Sequence, residues 1–141
     1  MYDSRVSEHS RFRVLVYSDD RDVRAAVVSA LGTRPHPDLP VFEYVECATE
    51  PVLWQHLDER RDRPDLVILD GEAVPAGGLG LARQMKDEIF QAPPALVLTG
   101  RPQDAWLATW SRAEAAVAHP IDPLRLAEVV VDLARSVLQP G

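Results

Sequence analysis

Polar side chains that could carry out chemistry follow four of the five apolar segments that we predict to be strands in this 141-residue chain. They are acids, a hydroxyl and an imidazole: Asp19 and Asp20, Asp70 with Glu72, Thr99, and His119. Carboxylates held close together repel one another unless a cation or a proton joins them. Oxygen ligands suit Mg²⁺, so Asp19, Asp20, Asp70 and Glu72 are the candidate metal ligands. A metal-neutralised Asp70 could accept a phosphoryl group as an acyl phosphate, with Thr99 hydrogen-bonding a phosphoryl oxygen.

The pattern of apolar residues predicts how these side chains are positioned. Strands are predicted over 12–17, 41–48, 66–69, 95–98 and 115–118, each followed by a helical segment. We expect Thr49 to cap the second helix, the fourth helix to span 102–111, and the last helix to begin after Asp122 and finish at Leu138. Five strand–helix units in alternation predict an α/β fold with a doubly wound, five-stranded parallel sheet. Ligands bind at the carboxyl edge of such sheets, where Asp70 would lie.

Length, composition and charge restrict the class of protein. Apolar residues make up 46% of the chain and charged residues 26%, which fits one globular domain. We expect a flexible N-terminal arm over residues 1–10, a single domain over 11–139 and no output domain. No apolar run approaches the length of a membrane span and no secretory signal is present, so a cytoplasmic protein is predicted. The net charge of −7, without a basic stripe, argues against direct nucleic-acid binding.

The order and spacing of Asp70, Thr99 and Pro120 match a known family. Over about residues 12–138 the chain resembles the CheY-like receiver domain of two-component response regulators. The resemblance implies the strand order 2-1-3-4-5 and a phosphoacceptor role for Asp70. Stretches such as Leu-Val-Leu-Thr-Gly-Arg-Pro look more closely like stand-alone atypical receivers of actinobacteria, some encoded near respiratory NADH dehydrogenase genes. The implied protein partners are a histidine kinase or a subunit of that dehydrogenase.

Three departures from the family pattern bear on phosphorylation. Ungapped alignment of the first strand places Ser18 and Asp19 on the family's acidic pair, so one carboxylate is missing and Asp20 lies one step beyond. His119 stands where the family has lysine, and Ala116 replaces the switch aromatic. The resemblance therefore implies that Asp70 is phosphorylated weakly or not at all and that Mg²⁺ binding is weak or absent. No organic cofactor is expected.

Two tryptophans lie four residues apart in the predicted fourth helix. Trp106 and Trp110 exceed what a thin edge helix needs to bury, and aromatic residues are enriched in binding patches. In the resembled family, the surface of helix four, strand five and helix five dimerises or meets partners. We therefore predict an interaction surface at these tryptophans, with a homodimer as one use of it.

Competing functions differ in what they require of Asp70. The favoured one is a degenerate stand-alone receiver, not an enzyme, that signals by protein–protein contact. The alternative is a single-domain receiver that accepts a phosphoryl group from a histidine kinase. A haloacid-dehalogenase-like phosphatase needs aspartate where Glu72 stands and a late acidic pair that is missing. A flavodoxin relative is opposed by Asp19 and Asp20, which would repel a phosphate.

Overall fold

The computed structural model describes residues 11–59 and 63–139, and the predicted N-terminal arm lies outside them. Within these ranges five strands alternate with five α-helices. They are β1 (Arg11–Tyr17), α1 (Arg21–Leu31), β2 (Val41–Cys47), α2 (Glu50–Asp58), β3 (Leu66–Asp70), α3 (Gly78–Glu88), β4 (Ala95–Thr99), α4 (Leu107–Ser111), β5 (Ala115–Ala118) and α5 (Pro123–Leu138). The strand predictions are confirmed to within one residue at each end.

The strands form one parallel sheet in the order β2-β1-β3-β4-β5, as predicted. Every residue of β3 and β4 is buried, because helices cover both faces of the sheet. Residues of one strand face alternate sides, so Ile68 packs in a core with α1 and α5 while Val67 and Leu69 pack in a second core with α2 and α3. All strands run the same way, so their carboxyl ends meet at one edge.

The predicted helix over 102–111 is wrong in its extent. A 3₁₀ turn covers Pro102–Asp104, and α4 is a separate helix of five residues. The 3₁₀ turn buries no residue and α4 buries only Ser111. A helix with so little buried apolar surface gains too little from packing to extend over the whole segment.

The two predicted N-caps differ in what their side chains do. Asp122 Oδ1 accepts hydrogen bonds from the N–H groups of Leu124 and Arg125, at 3.0 and 3.4 Å. Thr49 occupies the N-cap position of α2 with extended backbone, but its side chain makes no cap hydrogen bond. The predicted position of Thr49 at the N-cap is therefore confirmed, but its side chain does not supply a hydrogen bond there. Glu50 lies in the first turn of α2, where a carboxylate interacts favourably with the helix dipole.

This difference gives a first prediction. Asp122→Ala is expected to lower the free energy of unfolding by about 1 kcal/mol, because two helix N–H groups lose their acceptor. Thr49→Ala, the matched control, should change it by less than about 0.5 kcal/mol. Urea denaturation followed by circular dichroism measures both. Equal losses in the two variants would contradict the assignment of the caps.

Candidate functional site

Asp70 ends the central strand β3 and is only 2% exposed. Close backbone packing places it there. The Gly71 N–H donates to the Leu98 carbonyl at 2.8 Å, and Gly78, at the start of α3, lies so close that an added Cβ would be 2.7 Å from the Asp70 carbonyl oxygen. The end of β3 is thus fixed between β4 and α3, and the side chain of Asp70 has little freedom to move.

Both carboxylate oxygens of Asp70 have hydrogen-bond partners. Oδ2 accepts from the Ser18 hydroxyl at 2.7 Å. Oδ1 accepts from the Glu72 N–H at 2.9 Å and lies 3.1 Å from His119 Nε2. Three such partners hold the buried carboxylate in place and compete with a cation or an electrophile for its lone pairs.

Ser18 was identified in the sequence only as the residue that replaces one of the family's acids, and its hydrogen bond to Asp70 was not predicted. It directly follows β1, is fully buried, and its N–H donates to the Cys47 carbonyl at 3.1 Å. Its Oγ also accepts the Asp20 N–H at 3.0 Å, and its carbonyl accepts from Arg24 Nη1 at 2.6 Å. A small hydroxyl residue at the end of the strand next to β3 is the signal that could have identified it.

The predicted acids Asp19 and Asp20 are exposed and are engaged by backbone groups. Asp19 Oδ1 accepts the N–H of Val74, in the loop after β3, at 3.1 Å. Asp20 caps α1 by accepting the Asp22 N–H at 2.8 Å. Asp19 therefore holds the loop after β3, and Asp20 begins α1.

His119 follows β5 and occupies the edge beside Asp70. Its side chain is 22% exposed, and its backbone N–H donates to the Thr99 carbonyl at 2.8 Å. The His119–Pro120 peptide bond is cis. The imidazole therefore reaches the Asp70 carboxylate from the end of β5, at the same edge of the sheet. It is a cation only when it is protonated.

Thr99 and Glu72 lie at the same edge but make other contacts. Thr99 is buried, and its hydroxyl donates to the Arg101 carbonyl at 3.3 Å. The Glu72 carboxylate lies over Gly100, where an added Cβ would collide with Oε1. Arg101 pairs with Asp104 through two bonds of 3.0 Å, and that hydrogen bond lowers the pKa of Asp104.

A cavity of about 330 Å³ opens at this edge. Its lining residues, within the described ranges, are Asp19, Asp20, Val23, Asp70, Glu72 and His119. Thr99 is not one of them. The strand ends therefore bring together the predicted acids and the imidazole, while the predicted hydroxyl ligand lies outside the cavity lining. In the same ranges no three His, Cys, Asp or Glu side chains are grouped closely enough to hold a metal ion.

A buried tyrosine fixes the loop over this cavity. The hydroxyl of Tyr17, a residue only 1% exposed, donates to the Ala76 carbonyl at 2.6 Å. Burial raises the pKa of Tyr17, and the nearby Glu50, Cys47, Asp19 and Asp70 raise it further, so the hydroxyl keeps its proton. With the bond from Val74 to Asp19, this contact ties the loop between β3 and α3 to the end of β1.

Cys47, at the end of β2, is 3% exposed, and burial raises the pKa of its thiol from 9.0 to about 12. We expect the native thiol to react with a disulfide reagent at pH 8 at least about 100-fold more slowly than in denaturant, because the thiolate is the nucleophile. Folding favours the protonated thiol, so its contribution to stability is complete below pH 9.0 and is lost towards pH 12. Equal rates with and without denaturant would contradict this.

The tryptophans lie on the side of the molecule formed by α3 and α4. Trp106 is 66% exposed and Trp110 is 46% exposed. Both stand in or next to a helix of only five residues. The predicted exposure of an aromatic pair in this segment is therefore present in the structure.

A doubly wound five-stranded sheet of this order, with a buried aspartate ending its third strand, defines a receiver-type signalling fold. The signal receiver domain of a DNA-binding response regulator from Colwellia psychrerythraea superimposes with a TM-score of 0.71 at 18% identity, covering 86% of this chain and 97% of that one. A response regulator receiver domain from Bermanella marisrubri gives 0.70 at 23% identity, covering 86% and 96%. These likenesses establish the fold.

Sequence similarity establishes the family. Uncharacterized response regulatory proteins of two Mycobacterium tuberculosis strains are 57% identical over 124 residues, covering 88% of this chain and 92% of theirs. No family model matches the sequence. The chain belongs to the response regulator family of two-component signalling. Receivers of this family are signalling modules that interact with other proteins, such as kinases and effector domains.

Receiver domains typically bind Mg²⁺ at the phosphorylation site. The residues present here do not fit that ion. Ser18 donates to Asp70 at the position where the family has an acid, and Asp20 caps α1. Mg²⁺ requires several oxygen ligands in near-octahedral geometry, and no such group of acids is assembled among the described residues, where Asp70 instead accepts hydrogen bonds from Ser18 and the Glu72 N–H. Among the described residues, no helix is long and apolar enough to cross a membrane.

Proposed function

We propose that this protein is a degenerate receiver that signals through protein–protein contact, with phosphorylation of Asp70 weak or absent. The observation that carries the proposal is the hydrogen bonding of Asp70: Ser18 donates to one carboxylate oxygen, and the Glu72 N–H and His119 meet the other. A phosphoacceptor needs a neighbouring cation to neutralise the incoming charge. Among the described residues, the only basic side chain that pairs with Asp70 is the His119 imidazole, which is charged only when protonated.

Further features support the same function. His119 replaces the fixed positive charge of the family's lysine with a group that is cationic only when protonated. The Thr99 hydroxyl donates to the Arg101 carbonyl. Ala116 replaces the family's switch aromatic, so no ring is present there to follow a movement of Thr99. Mg²⁺ binding is proposed to be weak or absent. We propose that residues 11–139 act as one receiver domain in the cytoplasm, without enzymatic activity or direct nucleic-acid binding.

The proposed contact surface includes Trp106 and Trp110, which are exposed on the α3–α4 side. Large exposed aromatic residues at a surface are typical of partner-binding sites. A histidine kinase or a respiratory NADH dehydrogenase subunit is the partner suggested by the family resemblance. A homodimer through the region of α4, β5 and α5 is the other use of such a surface.

The test is a melting and NMR titration with Mg²⁺ and beryllofluoride, a phosphoryl mimic. A ligand present at one hundred times its Kd adds about 2.7 kcal/mol of stability, which for a domain of this size raises Tm by roughly 8 °C. We expect no rise and no shift of the Glu72 amide resonance, because Asp70 stays bound to Ser18 and His119. Asp70→Asn, treated identically, is the control for effects elsewhere.

A rise in Tm of several degrees in the wild type that Asp70→Asn abolishes would favour the phosphorylatable receiver instead. Hydrolysis of an aryl phosphate at micromolar protein would overturn the absence of enzymatic activity. These outcomes are independent of the contact surface, because neither reagent needs Trp106 or Trp110.

A further inference from the structure

One contact on the α3–α4 side joins a cation to an aromatic ring. The guanidinium carbon of Arg83, on α3, lies 5.1 Å from the centre of the Trp110 ring. Arg83 Nη1 also donates to the Trp110 carbonyl at 2.8 Å. Trp106 precedes Trp110 by about one helical turn and is 66% exposed. We call Arg83, Trp106 and Trp110 the tryptophan–arginine patch.

The charge of this patch is not matched within the described residues. Arg83 is exposed and has no carboxylate partner there; its one hydrogen bond is to a backbone carbonyl. The basic residues around it are paired: Lys86 with Glu114, Arg101 with Asp104, and Arg112 with Asp87. An arginine has five N–H donors, so Arg83 retains the capacity to bind a carboxylate through two parallel bonds.

A second copy of this chain is poorly suited to cover the patch. In a two-fold dimer the same surface meets itself, so the carboxylate for Arg83 would have to come from the same side of the partner copy. On that side Asp87, Asp104 and Glu114 already hold their own cations, and Glu88, at the end of α3, accepts a hydrogen bond from Gln84. The missing carboxylate is better supplied by a different protein.

We propose that the tryptophan–arginine patch binds an acidic segment of another protein, which packs an apolar side chain on Trp106 and Trp110 and pairs a carboxylate with Arg83. The proposal rests on the contact-based function above and names the chemistry of its partner. Aromatic anchors supply most of the binding energy in such interfaces, and a charge pair beside them fixes orientation and excludes cationic segments.

The experiment is a selection from a displayed library of random twelve-residue peptides on the full chain, with counter-selection on a Trp106→Ala, Trp110→Ala double variant. We expect the retained peptides to combine Asp or Glu with a neighbouring Leu, Phe or Trp. A synthetic peptide from the selection should bind at least about tenfold more weakly to Arg83→Ala, a loss of 1.4 kcal/mol. Arg83→Lys should recover only part of the affinity, because lysine lacks the planar fork.

Arg34→Ala is the matched control, since Arg34 is also exposed and its loss changes the charge equally. It should leave binding unchanged. Melting curves identify any variant that fails to fold, and an unfolded Arg83→Ala would leave Arg83→Lys as the deciding variant. Retained peptides that are basic or uncharged, or equal binding to Arg83→Ala and wild type, would overturn the proposal. A dimer in sedimentation that the double variant abolishes would identify a second copy as the occupant instead.

Discussion

Ser18→Asp is expected to destabilise the protein by about 3–5 kcal/mol without divalent cations, and millimolar Mg²⁺ is expected to restore most of that loss. Ser18 Oγ lies 2.7 Å from Asp70 Oδ2, so the variant places a second buried carboxylate against the first and removes a donor. Two carboxylates at this distance share a proton or a cation. The variant also restores the acid that the family has at this position, and thermal melting with and without Mg²⁺ measures the effect.

Ser18→Asn is the matched control, because it has nearly the shape of aspartate without the charge. It should lose less stability, and Mg²⁺ should leave its Tm unchanged. If Ser18→Asp were as stable as wild type without Mg²⁺, or if Ser18→Asn responded equally to the ion, the role assigned to the Ser18–Asp70 hydrogen bond would be wrong. The comparison shows whether one hydroxyl is what separates this site from a cation-binding one.

Gly78→Ala is expected to lower the free energy of unfolding by about 3 kcal/mol. A Cβ at this first residue of α3 would lie 2.7 Å from the Asp70 carbonyl oxygen and from the Leu69 carbonyl carbon. Both are backbone atoms of the central strand and cannot turn away as a side chain can. The strand end would have to shift, so we also expect the Glu72 amide resonance to move.

Gly80→Ala, in the same helix, should instead raise the free energy of unfolding. No atom lies within 4 Å of a Cβ there, and alanine is favoured over glycine in a helix by about 1 kcal/mol. Urea denaturation of the two variants side by side therefore separates the close approach of α3 to β3 from the general effect of removing a glycine. A loss of stability in Gly80→Ala similar to that in Gly78→Ala would contradict the packing described here.

The sequence predicted which residues meet at the candidate site, but it did not predict all of their hydrogen-bond partners. Residue type and position after apolar strands were enough to place Asp70, Asp19 and His119 at one edge. They did not show that Thr99 turns its hydroxyl to the Arg101 carbonyl, or that Ser18 is the side chain bonded to Asp70. Hydrogen-bond partners depend on side-chain rotamers and on atomic positions to within 1 Å. The spacing of strand ends in the sequence does not encode either.

The sequence by itself determined the architecture, because alternating apolar periodicities and the continuous apolar runs of β3 and β4 permit few arrangements besides a doubly wound parallel sheet. It also determined that acids and an imidazole would meet at one edge. Only the tertiary structure decided which side chains are in contact. Asp70 contacts Ser18 and His119, and Arg83 donates a hydrogen bond to the Trp110 carbonyl. Those contacts join residues distant in the chain, so their geometry follows from how strands and helices pack rather than from any local pattern.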